Sequence, residues 1–218
     1  GDTNAVLAAT LAGAKRDTLV GHVEAGLRSF DRSMPEEVNR VVADHLSELL
    51  FAPTDSAVAN LASEGIETGV TQTGNTVVDA CLDHAPVARE QSDSLSRFGV
   101  EPDGYALATI HRPHNTETPA RLEAICSALD GAPVPVVLPA HPRTETAIEA
   151  LGFEPDGSLI LTEPQGYLDF LALLDGARVV VTDSGGVQEE ASVLETPCLT
   201  VRPNTERPET VEAGVNEL

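Results

Sequence analysis

Short, nearly continuous apolar runs alternate with helical stretches along almost the whole chain, and this alternation restricts the fold more than any other feature. Strand-like runs lie at residues 18–23, 49–52, 105–110, 134–138, 158–161, 178–182 and 198–201. Several are built almost wholly of Val, Leu, Ile and Ala, as expected of strands covered on both faces. Helix starts lie between them. Pro35 followed by Glu36 and Glu37 suits a first turn, because proline loses no needed donor there and carboxylates favour the positive end of the dipole. Thr54 before Asp55 and Thr116 before Glu117 read as N-caps. The pattern predicts a doubly wound parallel α/β sheet, and it predicts a helix end and a loop over residues 90–103.

A boundary is expected near residues 73–75, giving a first domain over 1–75 and a second over 76–218 that starts with a connecting helix from Thr76. The second has about five strands, enough for a complete half of a two-domain enzyme. The first has two or three, too few to bury helices on both faces. It opens on Gly1-Asp2-Thr3, a loop running straight into a helix from Asn4, and the chain stops soon after a helix around Glu209. The expectation is a fragment cut at both ends.

Charge excludes some partners. Asp and Glu total 35 against 13 Lys and Arg, a formal net charge of −22, and Lys15 is the single lysine. So acidic a surface repels phosphate backbones, which argues against a nucleic-acid binder. Such charge is tolerable where salt screens it, and with the scarcity of lysine it suggests a halophile's acidic proteome; an ordinary acidic enzyme is the plainer alternative. No apolar run is long enough for a membrane span, and no signal-like leader is present, so a cytoplasmic location is expected. Cys81, Cys126 and Cys198 are widely separated and lack C-x-x-C spacing, which fits buried thiols and not a metal or disulfide framework.

The most specific stretch runs from Thr182 to Glu190. It follows a strand and opens a helix, placing Ser184, Gly185 and Gly186 at a helix N-terminus where backbone amides and the dipole bind anions. Carboxyl ends of parallel strands are where ligands bind in open α/β sheets. Without a G-x-G-x-x-G pattern, a nicotinamide or flavin site is not indicated. Glu190, one turn on, can accept from ribose hydroxyls, although a tight turn with an ordinary acidic first turn looks the same. Arg207, after the next strand, can clamp a diphosphate or can equally pair with Glu206 or Glu209. Gln165 and Phe170 offer an amide and an aromatic face for a base, or simply core. His111 and Arg112 follow the strand at 105–110, where a histidine can exchange protons near neutrality, and His141 occupies the equivalent place after the next strand. In the first domain Asp2, Glu24 and Glu36 lie on loops or at a helix start, and paired carboxylates of different pKa serve as acid and base. In so acidic a chain each is alternatively solvated surface.

Together these motifs resemble the non-hydrolysing UDP-N-acetylglucosamine 2-epimerase family. Its marks stand as GDT at Gly1, HVEAGLR at His22, PEE-NR at Pro35, TGNT at Thr73, HRP-N at His111, PQ-YL-F at Pro164, DSGGVQEE at Asp183 and TERPE at Thr205. The resemblance implies two Rossmann-like parallel-sheet domains of glycosyltransferase-B type, the first incomplete here, with the active site between them. It implies catalytic roles for Asp2, Glu24, Glu36 and His111. It implies uridine and diphosphate contacts for Gln165, Phe170, Ser184, Gly185, Gly186, Glu190 and Arg207; Arg112 and His141 stay as further site candidates on their positions after strands alone. His114 stands where many relatives carry Glu. The implied substrate is UDP-N-acetylglucosamine, with no metal, no cofactor, no nucleic-acid or membrane partner, and a homodimer at full length. The alternatives are a hydrolysing epimerase, a retaining glycosyltransferase of the same fold, and a truncated UDP-binding module without activity.

Overall fold

The computed structural model describes residues 1–218. It divides into two compact units, Gly1–Thr76 and Val77–Leu218. The first runs α1 (Asn4–Gly13), β1 (Gly21–Val23), α2 (Pro35–Leu46), β2 (Leu49–Ala52), α3 (Asp55–Ser63) and β3 (Val70–Gln72). Its sheet is parallel in the order β1-β2-β3, with His22 opposite Leu50 and Phe51 opposite Thr71. Pro35 opens α2, with Glu36 and Glu37 in the first turn, and the Thr54 hydroxyl accepts from Ala57 N to cap α3. The core is small: Leu50 and Ala52 meet Ala25, Leu27, Ala57 and Leu61.

The second unit starts with α4 (Thr76–Gln91) and α5 (Ser94–Phe98). There follow β4 (Ala106–Thr109), α6 (Pro113–Thr116), α7 (Pro119–Asp130), β5 (Val136–Pro139), α8 (Pro142–Leu151) and β6 (Leu159–Thr162). It closes with α9 (Tyr167–Gly176), β7 (Val179–Thr182), α10 (Gly185–Val193), β8 (Cys198–Thr200), α11 (Pro208–Glu212) and β9 (Asn216–Glu217). All six strands are parallel, in the order β6-β5-β4-β7-β8-β9. Successive side chains on β4 point to opposite faces, as the pleat requires. Leu107 joins Val137 and Val180 against Leu173 of α9 and Val187 of α10. Ala106 and Ala108 join Val136 and Leu138 against Leu122 of α7 and Ile148 of α8. Both faces are therefore dry. Burying a leucine such as Leu107 stabilises by about 1.5–3 kcal/mol. The two-sheet parallel α/β architecture is the one the apolar alternation predicts. No helix is long and apolar enough to cross a membrane.

Four local expectations need correction. Val70–Gln72 is a strand although only Val70 is apolar, because β2 supplies it with a hydrogen-bonded neighbour. Asn216–Glu217 adds a sixth strand to the second sheet. The polar stretch at 90–103 contains α5, whose Leu95 and Phe98 pack onto the core. Thr116 ends α6 and does not cap the next helix; Thr118 stands at the N-cap of α7.

Candidate active site

In the first unit the loop after β1 is held by ions. Asp44 of α2 is fully buried and receives His22 Nδ1 at 2.6 Å, Arg28 Nη1 at 2.7 Å and the Gly26 amide at 3.0 Å. Arg28 continues to Glu64, the C-cap of α3, at 2.7 and 2.8 Å. Burial pushes the Asp44 carboxyl up, but the hydrogen bond from His22 and the Arg28 charge outweigh it and hold the group below its ordinary value. Gly26 has φ +83°, and a Cβ there would stand 2.2 Å from the Ala57 carbonyl, so only glycine fits this turn.

Within this frame Glu24 takes φ +67°, an uncommon conformation for a side-chain-bearing residue. Its carboxylate lies against Gly1, 3.1 Å from where a Cβ on Gly1 would be. The Asp2 loop is tied to α2: Asn39 Nδ2 donates to the Asp2 carbonyl at 2.8 Å, and Arg40 Nη1 binds the Asp2 carboxylate at 2.6 Å. Glu36 precedes Asn39 and Arg40 by three and four residues and therefore shares their helix face. The loop cluster thus gathers Asp2, Glu24 and the start of α2. Glu37 has a different task. It accepts from the Ser29 and Phe30 amides at 2.9 Å each and from Arg40, and burial's upward pull on its carboxyl is outweighed by these donors.

In the second unit the strand order reverses between β4 and β7, the switch point where doubly wound sheets open a crevice at their carboxyl ends. Residues leaving these two strands meet there. Asp183, fully buried after β7, accepts from the His111 amide at 3.1 Å, the Arg112 amide at 3.0 Å and Asn115 Nδ2 at 2.8 Å, and its Oδ1 lies 3.0 Å from His111 Nδ1. Burial pushes the Asp183 carboxyl up, yet the His111 hydrogen bond and charge and the other donors bring it below its ordinary value. A cleft of about 360 Å³ opens beside His111, lined also by Thr109, Pro139, His141, Arg143, Gln165 and Phe170.

Ser184 caps α10, its hydroxyl accepting from Val187 N. A Cβ on Gly185 would stand 2.5 Å from Glu206 Oε1, whereas one on Gly186 would meet nothing nearer than Ser184 Oγ at 4.0 Å. The helix start is thus backed by Glu206 on one side and open at Gly186. Burial raises the Glu206 carboxyl, but Arg202 at 2.6 Å and the Arg207 charge overcome it and bring it down to about 2. Arg207 Nε lies 2.5 Å from Glu189 Oε1 and is largely buried. Glu190 hydrogen-bonds Tyr167 at the start of α9; burial, with Glu189 beside it, lifts its carboxyl to about 7. An arrangement of helix-start amides, a carboxylate-backed imidazole and an apolar-walled cleft can hold an anionic ligand and move a proton next to it.

The family model described as UDP-N-acetylglucosamine 2-epimerase matches residues 1–218. The chain belongs to this family. The UDP-N-acetylglucosamine 2-epimerase of Methanocaldococcus jannaschii is 45% identical over all of this chain and 63% of its own length. The UDP-2,3-diacetamido-2,3-dideoxy-D-glucuronate 2-epimerase of Pseudomonas aeruginosa is 44% identical over all of this chain and 61% of its own. The crystal structure of the M. jannaschii enzyme in complex with UDP-GlcNAc and UDP superposes with a TM-score of 0.91, covering 99% of this chain and 62% of that one. The chain thus spans a little over three fifths of the relatives it matches.

Against the family's motifs, the second unit brings His111, His141, Gln165 and Phe170 to one cleft. Ser184, Gly185 and Gly186 stand at the neighbouring helix start, with Arg112 Nη2 3.4 Å from the Glu206 that backs it. Glu190 lies further along that helix in contact with Tyr167, and Arg207 pairs with Glu189 of the same helix. Sequence reasoning passed over Asp183, Asn115 and Asp44. Each is a buried polar residue inside or beside a motif already noticed, and its role depends on partners far away in sequence.

Proposed function

We propose that the full-length protein is a UDP-N-acetylglucosamine 2-epimerase of the non-hydrolysing type. The C2 proton of the sugar has no neighbouring carbonyl to acidify it. Epimerisation therefore proceeds by elimination: a base takes the C2 proton, the C1–oxygen bond breaks, and UDP departs with the electron pair, leaving 2-acetamidoglucal. UDP then adds back to C1 while a proton enters C2 from the opposite face. Atoms and charge balance with no cofactor. The amides of Ser184, Gly185 and Gly186 and the Arg207 guanidinium stabilise the departing diphosphate, Gln165 and Phe170 receive the uracil, and Glu190 takes the ribose. Asp2, Glu24, Glu36 and His111 share the proton transfers, with Arg112 adding positive charge near the diphosphate and His141 a further contact. The observation that supports this reading is the switch point, where the start of α10 and His111, just past β4, meet at Asp183. The protein works in the cytoplasm as a homodimer, and its acidic surface suits a salt-rich one.

A second reading changes only the sugar. The P. aeruginosa relative, nearly as similar as the M. jannaschii one, is named for a diacetamido glucuronate. Proton NMR in D₂O on the full-length protein separates the cases. Deuterium at C2 together with the manno epimer of UDP-N-acetylglucosamine supports the first reading. Exchange confined to the UDP-diacetamido-glucuronate supports the second. Free N-acetylmannosamine with UDP marks a hydrolysing enzyme. If Glu24→Gln and His111→Ala both leave the exchange rate unchanged, the residue assignment is wrong.

A further inference from the structure

We propose that Asp183 is the positioning residue for His111: its carboxylate takes the imidazole Nδ1–H and leaves Nε2 as the nitrogen that exchanges protons in the cleft. The inference rests on the proton-transfer role given to His111 above and names the device that makes that role specific. An ionised carboxylate only accepts hydrogen bonds, so an imidazole nitrogen 3.0 Å from Asp183 Oδ1 must be the protonated one. In the neutral ring that choice forces Nε2 to carry the lone pair.

The His111 side chain is about half exposed, at 48%, and would rotate freely without a partner. Its partner cannot rotate. The Asp183 carboxylate is fixed by the His111 and Arg112 amides and by Asn115 Nδ2 at 2.8 Å. Asn115 is itself pinned, donating to the Val201 carbonyl at 3.1 Å and accepting from Arg121 Nε at 2.7 Å. Behind these, the Asp183 amide donates to the Thr109 carbonyl at 3.2 Å, tying the end of β7 to the end of β4. The hydrogen bonds thus run from the sheet through a buried acid to one ring nitrogen, as in triads whose acid orients a histidine. The other ionisable groups lining the cleft or beside the ring are Arg112, His141 and Arg143, and Glu117 lines the neighbouring hollow that His111 also borders. Glu117 is the one other anion among them, and unlike Asp183 it forms no ion pair with the ring.

The test uses the full-length protein. Nitrogen-15 NMR of the imidazole rings, with His111 assigned by its loss in His111→Asn, should show neutral His111 protonated at Nδ1 and bare at Nε2. Neutral His111 protonated at Nε2 overturns the proposal without any activity measurement. In Asp183→Asn the amide presents a donor to the ring. The tautomer should switch, kcat for C2 exchange should fall about 10²–10⁴-fold with KM far less affected, and one limb of the pH–rate profile should move. A folded Asp183→Asn protein with unchanged kcat and pH profile overturns the proposal. If that variant does not fold, the wild-type spectrum still decides the tautomer. Absence of C2 exchange in the wild-type protein, seen before any variant is made, strikes instead at the epimerase reading.

Discussion

The two units hold their functional loops by opposite means. In the second, loops leave a six-stranded sheet whose faces are filled with leucine, valine and alanine. In the first, a three-stranded sheet supplies only a few small apolar contacts, and the loop after β1 is held by Asp44, Arg28, His22, Arg40 and Glu37, all buried. An apolar core stabilises wherever it is packed well. A buried ionic lattice returns little net energy because desolvation offsets attraction, but it punishes the loss of any member and so enforces one geometry. The carboxylates of the first unit sit on a frame that specifies position more than it adds stability.

Arg28→Met tests this contrast most severely. It leaves the fully buried Asp44 carboxylate short of its guanidinium and should cost about 3–5 kcal/mol, read as lost hydrogen-exchange protection of the β2 amides. The matching probe in the second unit is Leu107→Ala, expected to cost about 2–5 kcal/mol at β4 through an empty cavity. Replacing the pair together, Arg28→Met with Asp44→Leu, should recover part of the first loss, less what the orphaned His22 and Gly26 amide cost, whereas nothing in the apolar sheet offers such rescue. If Arg28→Met alone is silent, the first unit is not held as described.

Glu190 is the second unit's exception, a carboxyl lifted to about 7 by burial. A folded value above the ordinary 4.5 means that the stability it contributes is complete below pH 4.5 and disappears as pH rises through 7. Glu190→Gln should therefore stabilise the protein by about 2 kcal/mol at pH 8 and by almost nothing at pH 4, in thermal melts at the two values. The smallest effect is expected at Glu24. Glu24→Gly relieves the φ +67° backbone and should stabilise by about 1 kcal/mol while abolishing the proposed exchange chemistry. A stability loss there would mean that its carboxylate is structural.

Local features were readable from the sequence and relational ones were not. Leu49–Ala52 is four apolar residues between Glu48 and Pro53, and it is a strand with those bounds. The Ser184-Gly185-Gly186 turn was legible because strand, cap and helix are contiguous. Val70–Gln72 and Asn216–Glu217 are strands because a neighbour pairs with them, which no short window of sequence records. Asp183 escaped for the same reason: its donors lie at 111–115, and only the parallel pairing of β4 with β7 brings them near. Asp44 looked like one acid among 35 until burial singled it out.

The reversal of strand order around β4 has a consequence for how such a protein can change over generations. The crevice walls come from the ends of β4 and β5, the starts of α8 and α9 and the segments between, and the polar residues among them lie outside the sheet's apolar core. A substitution at Gln165, Arg143 or His141 can reshape what the crevice accepts while leaving Leu107, Val137 and Val180 untouched. Near-equal similarity to relatives named for two different UDP-sugars is the divergence that such separable wiring permits.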